Sequence, residues 1–111
     1  MEFATQFDAV EGDVLQLVTM LGVSNDAFVG LHVPLFEAGM PVEGDMTSFA
    51  LLYDAGSEPN EPFGHGENQP GSRSGGDDEG ASVHVFVPDD AGNAPPAVDQ
   101  MLRITLRRVM P

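Results

Sequence analysis

The sequence predicts an all-β domain of antiparallel strands, and three observations carry that prediction. No apolar pattern of helical period persists over ten residues. Short runs rich in Val, Leu, Ile and Phe alternate instead, and most of the 13 Gly and 9 Pro fall between them as turn punctuation. Near the C-terminus Leu102, Ile104 and Leu106 alternate with Arg103, Thr105 and Arg107, the pattern of a half-buried antiparallel strand with one face in water.

In chain order, residues 2–7 alternate weakly around Phe3 and Phe7. Residues 14–23 read as a long strand with two apolar faces: Leu15, Leu17, Leu21 and Val23 on one, Val14, Val18 and Met20 on the other. Two apolar faces mean burial on both sides or a missing neighbour. Residues 28–35 hold a short strand interrupted by Pro34. Residues 46–53 read as a strand with Phe49, Leu51 and Tyr53 in register, and residues 82–87 as another with Val83, Val85 and Val87 in register. Residues 101–109 form the closing strand. The segment 54–81 breaks this rhythm: 28 residues with seven Gly, three Pro, seven acids and no convincing strand. Loops of that length inside a compact domain are uncommon and are usually functional or disordered. A second loop, 88–98, carries Asp89, Asp90 and Pro95-Pro96.

At 111 residues the chain is a single domain spanning 1–111, long enough for a modest core. It has no cysteine, which excludes disulfides and thiolate-bound zinc. No apolar run is long enough to span a bilayer, and no basic segment precedes an apolar stretch as in a secretory signal. Eighteen acidic residues face four basic ones, all Arg, for a net charge of −14 without a single Lys. A balance this acidic repels nucleic acid and anionic membranes. It suits the salt-rich interior or surroundings of a halophile, and it also keeps any chain soluble.

Two acidic segments stand where apolar runs stop: Ser24-Asn25-Asp26-Ala27-Phe28-Val29-Gly30 and Tyr53-Asp54-Ala55-Gly56-Ser57-Glu58-Pro59-Asn60-Glu61. If both runs belong to one sheet system, the carboxylates meet at one end of it. Asp26, Asp54 and Glu58 are then candidate calcium ligands, with Asn60, Glu61 and carbonyls near Asn25 as further oxygen donors; calcium takes six to eight oxygens of mixed type. The same residues also read as carboxylates capping turns, Asp26 in an Asx turn, and spacing alone favours that reading. Nothing matches an EF-hand loop. Asp77-Asp78-Glu79-Gly80 reads as a solvated acidic turn rather than a second metal loop. His32, His65 and His84 lack metal-ligand spacing, no Ser sits in a nucleophile elbow, and no glycine stretch opens a helix as a phosphate loop does.

The two segments, together with Thr19-Met20-Leu21, Asn68-Gln69-Pro70, Asp78-Glu79-Gly80 and Arg103-Ile104-Thr105-Leu106 in that order and spacing, resemble the spondin N-terminal domain family of bacterial and archaeal proteins. The resemblance runs from about residue 14 onward. It implies a C2-like antiparallel β-sandwich, and a calcium (Ca2+) site at one end whose ligands fall on Asp26, Asp54 and Glu58. Position 58 is Asp in the animal pattern, so Glu58 keeps the charge and moves its oxygens by one methylene. The family domain has further strands ahead of this region, so the resemblance also implies that the chain matches its C-terminal portion. An exposed strand edge or apolar patch around Val14, Val18 and Met20 would then invite homo-oligomers.

The expectation is therefore a non-enzymatic calcium-binding β-sandwich for extracellular or cell-surface interaction or adhesion in a halophilic prokaryote. Its partner would be a protein or glycan, with no nucleic acid and no membrane insertion. Two alternatives stand beside it: a metal-dependent or carbohydrate-active enzyme using the same acidic end, and a purely structural module whose acids serve salt adaptation.

Overall fold

The computed structural model describes residues 1–66, 69, 78–88 and 94–110. Asn68, Pro70, Asp77, Asp89 and Asp90, singled out above, lie outside the described residues, as does Arg73, one of the four Arg. The chain is all-β in antiparallel sheets with almost no helix. Its strands are β1 (Val14–Met20), β2 (Ala27–Pro34), β3 (Phe36–Glu37), β4 (Met40–Pro41), β5 (Gly44–Asp45), β6 (Leu51–Asp54), β7 (His84–Val85) and β8 (Thr105–Leu106). A single helical turn, α1 (Val98–Met101), precedes β8. The main sheet has the order β1-β2-β6-β7, while β3 pairs with β4 and β5 with β8 as two-stranded ribbons. Residues ahead of Val14 carry no regular secondary structure among the described residues.

The main sheet buries one face. Register pairs Leu17 with Leu31, Leu15 with Val33 and Val29 with Leu52, so alternate side chains of three strands share a layer. Ala27, Val29, Leu31, Val33, Leu52 and Phe86 form the core with Met46 and Ala50, and Val98, Met101, Leu102, Ile104 and Leu106 pack against it from the C-terminal segment. The period-two pattern of strands predicts this division of faces. β1 shows it plainly: Leu15 and Leu17 are half-buried, whereas Val14, Val18 and Met20 are exposed.

Three expected strands are shorter than the apolar pattern suggests. Residues 46–53 do not form one strand: Thr47–Phe49 is a 3-10 turn, and only Leu51–Asp54 is extended. The turn begins where Asp45 Oδ1 accepts the Thr47 N–H at 2.8 Å, a local side-chain bond that outcompetes the ladder. Residues 101–109 yield only Thr105–Leu106 as paired strand. Side chains replace the missing ladder: Ile104 N–H donates to Thr47 Oγ1 (2.9 Å) and Arg108 N–H to Glu43 Oε2 (3.1 Å). Of residues 82–87 only His84–Val85 pairs with β6, although Phe86 N–H still donates to the Leu52 carbonyl at 2.9 Å. The helical turn at α1 is too short to show a period; Gln100 reaches back to accept the Ala97 N–H at 3.2 Å.

Thr47 joins the 3-10 turn to the C-terminal strand, and Met46 N–H completes the join by donating to the Ile104 carbonyl at 2.8 Å. Thr47→Val keeps the shape but leaves the Ile104 N–H without its acceptor. Urea unfolding should show a loss of about 1–3 kcal/mol, the cost of an unsatisfied buried donor. Asp45 adds a pH dependence. The Thr47 hydroxyl, then the Thr47 N–H, hold its carboxyl below the ordinary value, with burial opposing and Arg103 assisting. A lowered folded pKa contributes stability that is present above the ordinary carboxylate value and lost as pH falls through the lowered one. The melting-temperature gap between wild type and Asp45→Ala should therefore be larger at neutral pH than below pH ~2.

Candidate metal centre

Register builds the site. Antiparallel pairing places Ala27 opposite Asp54, and Asp54 opposite His84, so the start of β2, the end of β6 and the start of β7 meet at one end of the sheet. Asp26, one residue before β2, arrives there from the turn after β1. Ser24 closes that turn: its hydroxyl donates to the Leu21 carbonyl at 2.7 Å and accepts the Ala27 N–H at 3.0 Å. Asn25 then reaches across to donate from Nδ2 to the Pro59 carbonyl at 2.7 Å, and Gly64 N–H donates to the Val23 carbonyl. The loop after β6 is thus fastened to the turn after β1.

Both central aspartates are buried, Asp26 at 4% exposure and Asp54 at 0%. Asp26 Oδ2 accepts three hydrogen bonds from the following loop: Ser57 N–H (2.9 Å), the Ser57 hydroxyl (3.0 Å) and Glu58 N–H (2.9 Å). Its other oxygen, Oδ1, is buried and accepts no hydrogen bond from the described residues. Asp54 Oδ1 accepts Gly56 N–H at 2.7 Å, an Asx turn; Oδ2 accepts Asn60 Nδ2 at 2.9 Å and lies 3.6 Å from His84 Nε2.

A third carboxylate comes from a distant segment. Ligand oxygens of Asp26, Asp54 and Glu79 lie within 4.8 Å of one another, the set among the described residues with metal-binding spacing. Glu79 is placed by backbone bonds, its N–H donating to the Ser57 carbonyl (3.1 Å) while Ala81 N–H donates to the Gly56 carbonyl (2.9 Å). Glu58 is buried beside this set but stands outside it, and its backbone N–H serves Asp26. Asn60 turns its amide nitrogen, not its oxygen, toward Asp54. The sequence thus points to two members of the cluster and misses Glu79, whose acidic run reads as a solvated turn. The tight approach of residues 79–81 to Gly56 had no signal except Gly56 itself.

Among the described residues, the half-exposed His84 ring approaches the cluster and faces it with a positive charge when protonated. Its Nδ1 shares a 2.7 Å hydrogen bond with the Ser82 carbonyl. That bond chiefly raises its pKa above the ordinary value, a smaller burial effect opposes the rise, and Asp54, Glu79 and Asp26 add to it. Carboxylate oxygens with carbonyls nearby are hard donors of the kind calcium prefers. The buried, unpartnered Oδ1 of Asp26 fits such a cation. Turn capping accounts for Oδ2 of Asp26 and both oxygens of Asp54, and it leaves Oδ1 unexplained. Comparisons with family models, curated proteins and solved structures find no match to this chain.

Gly56 is the residue on which the approach depends. Its φ is +70°, and a Cβ there would lie 2.6 Å from the Ala81 carbonyl oxygen and 2.8 Å from that of Ser82. Gly56→Ala must therefore both hold a left-handed backbone and push back residues 81–82. Thermal unfolding should show a loss of more than about 1 kcal/mol.

Proposed function

We propose that this chain is a non-enzymatic, calcium-binding β module of spondin type. One divalent ion offsets two of the three charges of Asp26, Asp54 and Glu79, with Glu58 beside them, and pins the turn after β1, the loop after β6 and the segment entering β7. The observation that carries this reading is the buried Asp26 Oδ1, which has no donor among the described residues, within a cluster whose carboxylates lie no more than 4.8 Å apart. Like charges at that distance repel strongly unless a cation or proton sits among them. The role of the ion is structural: it holds three chain segments as one rigid surface for a protein or glycan partner. The β-sandwich architecture belongs to this proposal, as does a setting at the surface or exterior of a halophilic prokaryote. The net charge of −14 without Lys supports that setting. A second reading has an observation of its own. His84, 3.6 Å from Asp54 Oδ2, provides a counter-charge without any metal, and the acids then serve turn architecture and salt adaptation.

Calorimetric titration with calcium at high salt, after chelation, separates the two. Wild type should release or absorb heat on binding and melt higher in calcium. Asp26→Asn keeps an oxygen for Ser57 and Glu58 and replaces the orphaned oxygen with a donor. It should bind calcium at least about tenfold more weakly, while the metal-free variant melts at or above the metal-free wild type. A wild type with neither heat nor thermal shift would leave the second reading.

A further inference from the structure

The main sheet has a second face that nothing in the described chain covers. Val14, Val18 and Met20 on β1, Leu51 on β6 and Val85 on β7 project from it, with exposures between 46% and 62%. On its two inner strands, in the row between Met20 and Val85, the Phe28 and Tyr53 rings stack with centroids 5.3 Å apart. Gly30 lies beneath them, where a Cβ would stand 2.8 Å from the Tyr53 ring. The missing side chain lets the ring lie down on the sheet and flattens the face. Scattered exposed apolar residues are ordinary; a contiguous set across four strands is not.

Charge selects the occupant. The chain carries 18 acids, yet the strand positions on this face hold none; Gln16 and His32, paired across β1 and β2, are its polar side chains. A basic partner would be drawn to the acidic surface instead. Two copies, each at net −14, repel each other overall; once salt screens the distant charges, this acid-free face is where like-charged copies approach at least cost. We infer that a second copy of this chain covers the face, the two main sheets packing against each other about a twofold axis. Isologous contact is the natural arrangement for a self-complementary patch. The four strands have 7, 8, 4 and 2 residues, which at about 4.8 Å spacing and about 3.3 Å per residue give a face of roughly 330 Å² in plan. With side-chain relief, two such faces bury on the order of 1,000 Å², the lower bound for a specific interface. The Phe28–Tyr53 stack would be its anchor. The inference stands apart from the metal reading, since it uses the opposite face of the sheet.

Tyr53 is the single Tyr in a chain without Trp, so its fluorescence reports this face alone. Light scattering after size exclusion should give the mass of two 11.8 kDa chains, with the dimer fraction rising with salt as repulsion is screened. Acrylamide should quench Tyr53 less in the dimer than on dilution to monomer. Val18→Lys brings net charge toward neutrality, so any loss of association comes from the face and not from repulsion. It should weaken dimerisation at least about tenfold and restore quenching. Val85→Lys, on the other side of the face, is the second variant should the first not fold. A monomer at all salt concentrations overturns the inference. So does a dimer that neither variant weakens, or one in which Tyr53 stays fully quenchable, as edge pairing through β1 would leave it.

Discussion

Two carboxylates buried together at one end of a sheet set the terms for the rest of this structure. Taking one carboxylate out of water costs several kcal/mol even after relaxation, on the order of what a whole small domain has to spare. Asp26 and Asp54 are nonetheless both removed from water. The surrounding chain is arranged around that cost: the 57–58 backbone donates to Asp26, the Gly56 N–H and Asn60 amide to Asp54, and His84 approaches from β7. Loop geometry that looks incidental, such as the left-handed Gly56 and the clasp between Asn25 and Pro59, follows from bringing donors to these two side chains.

Much of this was legible in the sequence because it depends on alternation. The two faces of β1, the position of β2 and the meeting of the two acidic segments follow from period-two patterns and from apolar runs that end at Asp26 and Asp54. What stayed illegible depends on bonds that skip the pattern. Residues 46–53 have strand-like spacing, but the Asp45 side chain captures the Thr47 N–H and turns the chain. Residues 102–107 alternate without a break, yet Thr47 and Glu43 side chains take the place of a neighbouring strand along much of 101–109. Glu79 enters the acidic cluster through backbone bonds to residues 56 and 57, more than twenty positions away. A low-complexity acidic background hides such a residue, because nothing in its neighbours distinguishes it from Asp78.

Composition and placement also separate here in an informative way. An acidic chain of this kind could scatter its carboxylates evenly, since each one helps solubility. They are instead absent from the strand positions of the uncovered sheet face and concentrated in loops. Uniform salt adaptation explains the number of acids but not this gap. A face kept free of acids, with aromatic rings on its inner strands laid over a glycine, carries the features of a contact surface rather than of a solvated one.

The acidic end and the apolar face share one short strand. β7 pairs with β6 over only two residues, Tyr53 with Val85 and Asp54 with His84. The first pair belongs to the outer apolar face and the second to the acidic cluster. So short an edge strand gains little from its own ladder, and its position rests on what flanks it. On one side residues 79–81 hold Gly56 and Ser57 and His84 faces Asp54; on the other Phe86 is buried in the core and donates its N–H to the Leu52 carbonyl. Phe86 thus keeps Val85 beside Tyr53 without any contribution from the acidic cluster. Because neighbouring residues of a strand point to opposite sides, Tyr53–Asp54 and His84–Val85 divide between the two surfaces, and each surface can be altered by itself.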